Sequence, residues 1–126
     1  MAWTIGMSDD DAIINVVTSG IMDKGNIIQM CAETIAFGRE HKTTKFLIDH
    51  REMMPDSGIS AMDIYRLPML LTEAGGEHTN KVAVVISPES KEKNAFEFFE
   101  TVYRTNGHPF KVFNEEFQAL EWLSQK

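Results

Sequence analysis

Five consecutive apolar residues, Val82-Ala83-Val84-Val85-Ile86, constrain the fold more than any other segment of the chain. Four of the five are β-branched, and such side chains suit a pleated strand while losing rotamer freedom in a helix. A strand with no polar residue at alternate positions has no face to offer water. It belongs in the middle of a sheet covered on both sides, the usual setting of parallel strands. Ser87-Pro88 closes the run with residues suited to the N-cap and first position of a helix, so the segment reads as one unit of a β-α-β arrangement.

The remaining periodicities extend that pattern in both directions. Trp3, Ile5 and Met7 alternate with Thr4 and Gly6, and Ser8-Asp9-Asp10-Asp11 supplies turn chemistry before Ala12 to Val17, which predicts an opening β-hairpin. Asp23 is suited to cap a first helix with Ile28, Cys31, Ala32 and Ile35 inward, fading at Arg39-Glu40-His41-Lys42. Phe46-Leu47-Ile48, ending in Asp49, predicts a short buried strand followed by a loop rich in Met, Pro, Asp and Gly. Ser60 with Asp63 has capping-box spacing, and Ile59 with Ile64 has that of a hydrophobic staple, so a second helix begins there. Its stripe is Ile64, Leu67, Leu71 and Ala74, Pro68 predicts a kink, and Gly75-Gly76 the end. A third helix turns Ala95, Phe98, Phe99, Val102 and Tyr103 inward and stops at Gly107. Pro109 to Phe113 forms a last strand, and Asn114 caps a final helix with Phe117, Leu120 and Leu123 inward. The predicted order is β-β-α-β-α-β-α-β-α, a mixed, mostly parallel five-stranded sheet with about four helices.

With 126 residues the chain has room for one core, so residues 1–126 are read as a single domain. A formal charge of −7 without a Lys/Arg cluster argues against nucleic acid as a partner. No apolar run approaches bilayer length and the N-terminus lacks an export signal. The single cysteine, Cys31, falls in an apolar helical pattern and reads as a buried thiol, and a cytoplasmic location is expected.

Candidate chemistry is sparse. Ligands of open α/β sheets favour the carboxyl ends of the strands, which directs attention to Asp49-His50-Arg51 after the third strand and Ser87 after the fourth. Asp49 with His50 would centre a small hydrolase-like site, but neighbours on an extended segment point to opposite sides and no nucleophile accompanies them. Asp49, Arg51 and Asp56 read more simply as ion pairs and caps around a tight loop. His41, His50, His78 and His108 have no metal-ligand spacing, Gly75-Gly76 no phosphate-loop context, and no cofactor is expected. Met53, Met54, Met62 and Met69 either line an adaptable apolar groove or fill space around the Pro68 kink, and the second is preferred.

The element order, with Leu47-Ile48-Asp49, Lys81-Val82-Ala83-Val84-Val85, Val112-Phe113-Asn114-Glu115-Glu116 and Ala119-Leu120-Glu121-Trp122-Leu123, resembles the SpoIIAA-like family over nearly the whole chain. The resemblance implies a fold shared with STAS domains, including anti-sigma-factor antagonists, and a small bacterial protein. In those antagonists a partner kinase phosphorylates a serine of an Asp-Ser-Ser-Gly stretch between the third strand and second helix. The corresponding segment here is Met54-Pro55-Asp56-Ser57-Gly58-Ile59, so the resemblance carries a phosphorylation site only to Ser57. The resulting expectation is a non-enzymatic binding or regulatory module acting through a protein partner or a small apolar ligand. Crossovers advancing in one direction put their helices on one face, so the other apolar face is expected to be covered by a second subunit in a homodimer.

Overall fold

The structure is a computed structural model describing residues 3–8, 13–73, 80–90 and 93–125. Strands β1 (Trp3–Met7), β2 (Ile14–Met22), β3 (Lys45–Pro55), β4 (Lys81–Val85) and β5 (Phe110–Phe113) form one sheet in the order β1-β2-β3-β4-β5. β1 and β2 are antiparallel, and β2 to β5 are parallel. Helices α1 (Lys24–His41), α2 (Ala61–Glu73), α3 (Lys93–Thr105) and α4 (Glu116–Ser124) complete the predicted order.

Both faces of the central strands are buried, as their composition requires. On one face Ile14, Val16, Phe46, Ile48 and Val84 pack with Met30 of α1 and Phe96 and Tyr103 of α3. On the other, Leu47, Ala83 and Val85 lie beneath Ala119 and Leu123 of α4. The last helix therefore supplies the cover over β3 to β5 that was expected from a second subunit. Among the described residues α4 joins no two strands of this sheet, so the crossover rule does not bind it. Lys81 Nζ fastens its C-terminal end, donating to Trp122 O at 2.6 Å and Gln125 O at 3.0 Å while lying 4.5 Å from the Trp122 ring centroid. Over β1 and β2 the same face carries Thr4 and Asn15, but Val17 and Ile21 of β2 are 48 and 69% exposed, so the uncovered part mixes polar and apolar side chains.

Helix ends follow local chemistry. Asp23 Oδ1 accepts from Asn26 N at 2.8 Å and Asn26 Oδ1 from Asp23 N at 3.2 Å. Ser60 and Asp63 form the expected reciprocal pair at 3.1 and 3.0 Å. Gly107 ends α3 at φ 83°, where a side chain would be strained. Other boundaries differ from the sequence reading. β3 runs to Pro55 because its second half still pairs with β2 after β4 has ended. Ser87 Oγ accepts from Glu89 N at 3.2 Å and thus caps a turn, while α3 begins at Lys93. The cap of α4 is Glu115 instead of Asn114, and its side chain makes no capping bond. α2 continues through Pro68 to Glu73, and Ala74, Gly75-Gly76 and His78 lie outside the described residues.

The buried stripes are also offset. α1 buries Ile27, Met30, Thr34 and Gly38, α3 buries Phe96 while Phe98 is exposed, and Phe117 of α4 is exposed. Gly38 explains the offset in α1, since only a residue without Cβ lets the helix settle on Phe46. A Cβ there would stand 2.6 Å from Phe46 Cζ. Gly38→Ala is therefore expected to destabilise by about 1–3 kcal/mol through overpacking, outweighing the ~1 kcal/mol that alanine gains in a helix interior. Urea unfolding checks this, and an unchanged or higher midpoint would mean that the buried ring moves aside freely.

Candidate functional site

The site is created by one irregularity in the ladder between β2 and β3. Val17 pairs with Asp49 and Ser19 with Glu52, so the single residue Thr18 stands opposite two, His50 and Arg51. This is a β-bulge, and it changes the side-chain parity of β3. His50 and Met53 are three apart yet line the same cavity on the helix-covered face, which a regular strand would forbid.

His50 is buried and held at one edge. Its Nδ1 lies 2.6 Å from Thr18 Oγ1, which also lies 3.0 Å from Asp49 O, and the ring stacks on Phe96 with centroids 5.7 Å apart. Burial lowers its pKa from 6.5 to about 4, opposed by the neighbouring Asp49 charge, so the imidazole is neutral at physiological pH.

The cavity beside His50 arises from how the helices layer. Among the described residues α2 packs on α1 and α3 and not directly on the sheet, roofing the gap between those two helices. Two mostly apolar cavities of about 90 and 50 Å³ share Cys31, Ile48, Tyr103 and Phe110 as walls, and α2 roofs the smaller one through Leu67. Met30, Met53 and Leu67 complete the smaller one around His50. Burial pushes the Cys31 thiol up to about 12 and raises the Tyr103 phenol well above its ordinary value. Every one of these titratable wall groups is thus uncharged near neutral pH.

Asp49 faces the other side of the sheet. Its Oδ1 accepts from Arg51 N and Nε, both at 3.0 Å, and its Oδ2 from Arg51 Nη2 at 2.7 Å. The Arg51 hydrogen bonds hold the Asp49 carboxyl below its ordinary range. Arg51 also reaches Glu116 Oε1 at 3.5 Å, tying β3 to the start of α4.

The residues singled out in the sequence therefore separate. His50 and Met53 share the cavity, and Asp49 and Arg51 form the ion pair on the opposite face. Ser87 sits in its turn beyond β4, and Ser57 is exposed in the turn before α2. Met54, Met62 and Met69 are more than half exposed and so do not fill space around Pro68, which is itself fully buried. The sequence reading missed Thr18, Met30, Phe96 and Tyr103 as companions of His50. Phe96 and Tyr103 had a legible signal in their aromatic helix, whereas Thr18 is found only from the strand register.

The profile of a family described as SpoIIAA-like matches residues 13–124. The chain is similar in structure to an uncharacterised protein with a SpoIIAA-like fold from Shewanella loihica PV-4, with TM-score 0.55, 22% identity, and coverage of 97% of this chain and 93% of that one. It is also similar to the anti-sigma factor antagonist SpoIIAA in its unphosphorylated form, with TM-score 0.55, 11% identity, and coverage of 99% and 100%. No curated protein matches the sequence significantly.

The depressed pKa of His50 has a thermodynamic consequence. The unfolded chain takes up its proton near pH 6.5 and the folded one only near pH 4. Stability present above pH 6.5 is accordingly lost as pH falls towards 4, by up to about 3 kcal/mol. Urea unfolding at pH 7 and pH 4.5 is expected to show a smaller loss for His50→Gln than for the wild type, with Asp49 contributing to both. Equal losses would mean that His50 does not stay neutral in the folded state.

Proposed function

The chain belongs to the SpoIIAA-like family, and from that premise we propose that it is a non-enzymatic binding module of the cytoplasm whose ligand site is the apolar cavity roofed by α2. The observation that carries this reading is the cavity's wall chemistry, mostly apolar side chains interrupted by the neutral Cys31, His50 and Tyr103 and, in the larger hollow, by Thr34, Asn80 and His108. Small-molecule sites are commonly apolar hollows with a few fixed polar groups. The hydrolase reading has less support, because Asp49 is bound to Arg51 on one face while His50 is bound to Thr18 on the other.

A second reading, action through a protein partner, is favoured by α2, where Met62, Tyr65 and Met69 are 54, 63 and 58% exposed at helical spacing along one side. In that reading a homodimer is the simplest assembly, and Ser57, in the turn leading into α2, is where a regulatory phosphate would enter.

Toluene tests the cavity reading. It is expected to shift the methyl resonances of Met30 and Met53 saturably while leaving Met54, Met62 and Met69 unmoved. Absence of any shift at Met30 and Met53 up to the solubility limit would remove the cavity as a ligand site. For the assembly, light scattering at tens of micromolar is expected to give a dimer that Tyr65→Glu with Met69→Glu converts to a 14.3 kDa monomer. A wild-type monomer under the same conditions would end the homodimer reading.

A further inference from the structure

The hydrogen-bond arithmetic around Thr18 fixes which way His50 presents itself to the cavity. Thr18 Oγ1 has a single proton and two neighbours, Asp49 O at 3.0 Å and His50 Nδ1 at 2.6 Å. A carbonyl oxygen can only accept, so the threonine proton goes to Asp49 O. The contact to His50 then needs its own hydrogen, which must sit on Nδ1 and be donated to Thr18 Oγ1. In a neutral imidazole this leaves Nε2 with a lone pair and no proton. Nε2 makes no hydrogen bond among the described residues, although His50 is only 8% exposed and lines the smaller cavity. Among the described residues, no fully buried side-chain nitrogen or oxygen lacks a partner, so an unbonded Nε2 keeps some accessible surface, and His50 is a wall of the smaller cavity.

We propose that the cavity takes a compact, uncharged molecule with an apolar body and one hydroxyl-type donor, the donor pointing at His50 Nε2. This rests on the cavity reading above and deepens it by naming the ligand's chemistry. An acceptor-only ligand such as a carboxylate would face the Nε2 lone pair in an apolar enclosure, and it is excluded by repulsion and by the cost of burying its charge. A pure hydrocarbon fills the space but leaves Nε2 without a partner. Size sets a further limit, since the two cavities of about 90 and 50 Å³ are together close to the ~150 Å³ that accommodates a benzene ring in an engineered protein core. The bulge and the Thr18 contact prepare this acceptor before any ligand arrives, because the ring is already oriented and its tautomer set.

Phenol and toluene, nearly equal in shape and differing by a hydroxyl against a methyl, separate the alternatives. Both are titrated against the full-length protein and His50→Leu, with dissociation constants read from the Met30 and Met53 methyl signals. The ratio of the phenol constant to the toluene constant is expected to rise at least tenfold in His50→Leu, the size expected when a buried donor loses its partner. In the wild type, the Nε2 nitrogen resonance of His50 should move on adding phenol and stay in place with toluene. If His50→Leu does not fold, Thr18→Val replaces it. That variant keeps the imidazole but frees its tautomer, and it should reduce phenol discrimination while sparing toluene. Binding of toluene with a phenol-to-toluene ratio unchanged in the variant, or with Nε2 insensitive to phenol, overturns the donor assignment and leaves the cavity reading standing. If neither molecule binds, the cavity reading itself fails and this inference with it.

Discussion

The fold depends on β3 having to bury both of its faces. It is paired in parallel on each side, with β2 and β4, and carries Phe46 and Ile48 towards the α1 and α3 layer and Leu47 towards α4. Neither layer alone satisfies that strand. The helices following β2 and β4 cover one face, and the chain must then send its terminal helix to the other, where Lys81 and Arg51 hold its two ends. The cavity is a by-product of the same layering, for α2 rides on its neighbours and leaves the floor between them incompletely filled.

Polar groups inside this enclosure are ordered by what each is permitted to donate. Buried hydrogen-bonding groups are nearly always paired, and a single unpaired one is costly. Thr18 uses its hydroxyl on a backbone carbonyl of the bulge and its lone pair on His50, which ties a backbone irregularity to a side-chain tautomer. On the opposite face Asp49 is bound equally firmly, but to a cation in contact with water. Adjacent residues on one strand thus live in environments of opposite character, one dry and neutral, the other wet and charged.

Much of the architecture was legible because it rests on local chemistry. The β-branched run at Val82 to Ile86, the Asp23 cap, the Ser60-Asp63 box and Gly107 each act within a few residues, and each fixed an element. Boundaries were lost where a distant partner decides, as in the second half of β3, which is a strand only because β2 lies beside it. Helix faces shifted by one position where a tight contact such as Gly38 on Phe46 overrode average periodicity. His50 was legible as a candidate, but its partner was not, since nothing near Thr18 in sequence announces that a bulge will bring the two together. The far-face cover was misassigned for a related reason, that handedness rules speak only about connections between strands.

The bulge also bears on how a chain of this kind can diverge. His50 and Met53, three residues apart, share a side because the bulge takes up the one residue by which β3 exceeds β2 there. Deleting one residue between them would leave the pair two apart on a regular ladder, so Met53 would keep its face while the bulge disappears. Flattening the bulge at constant length would instead slip the register by one and turn Met53 and the residues after it to the other face. At this point β3 therefore tolerates the loss of the extra residue better than the loss of the irregularity that accommodates it.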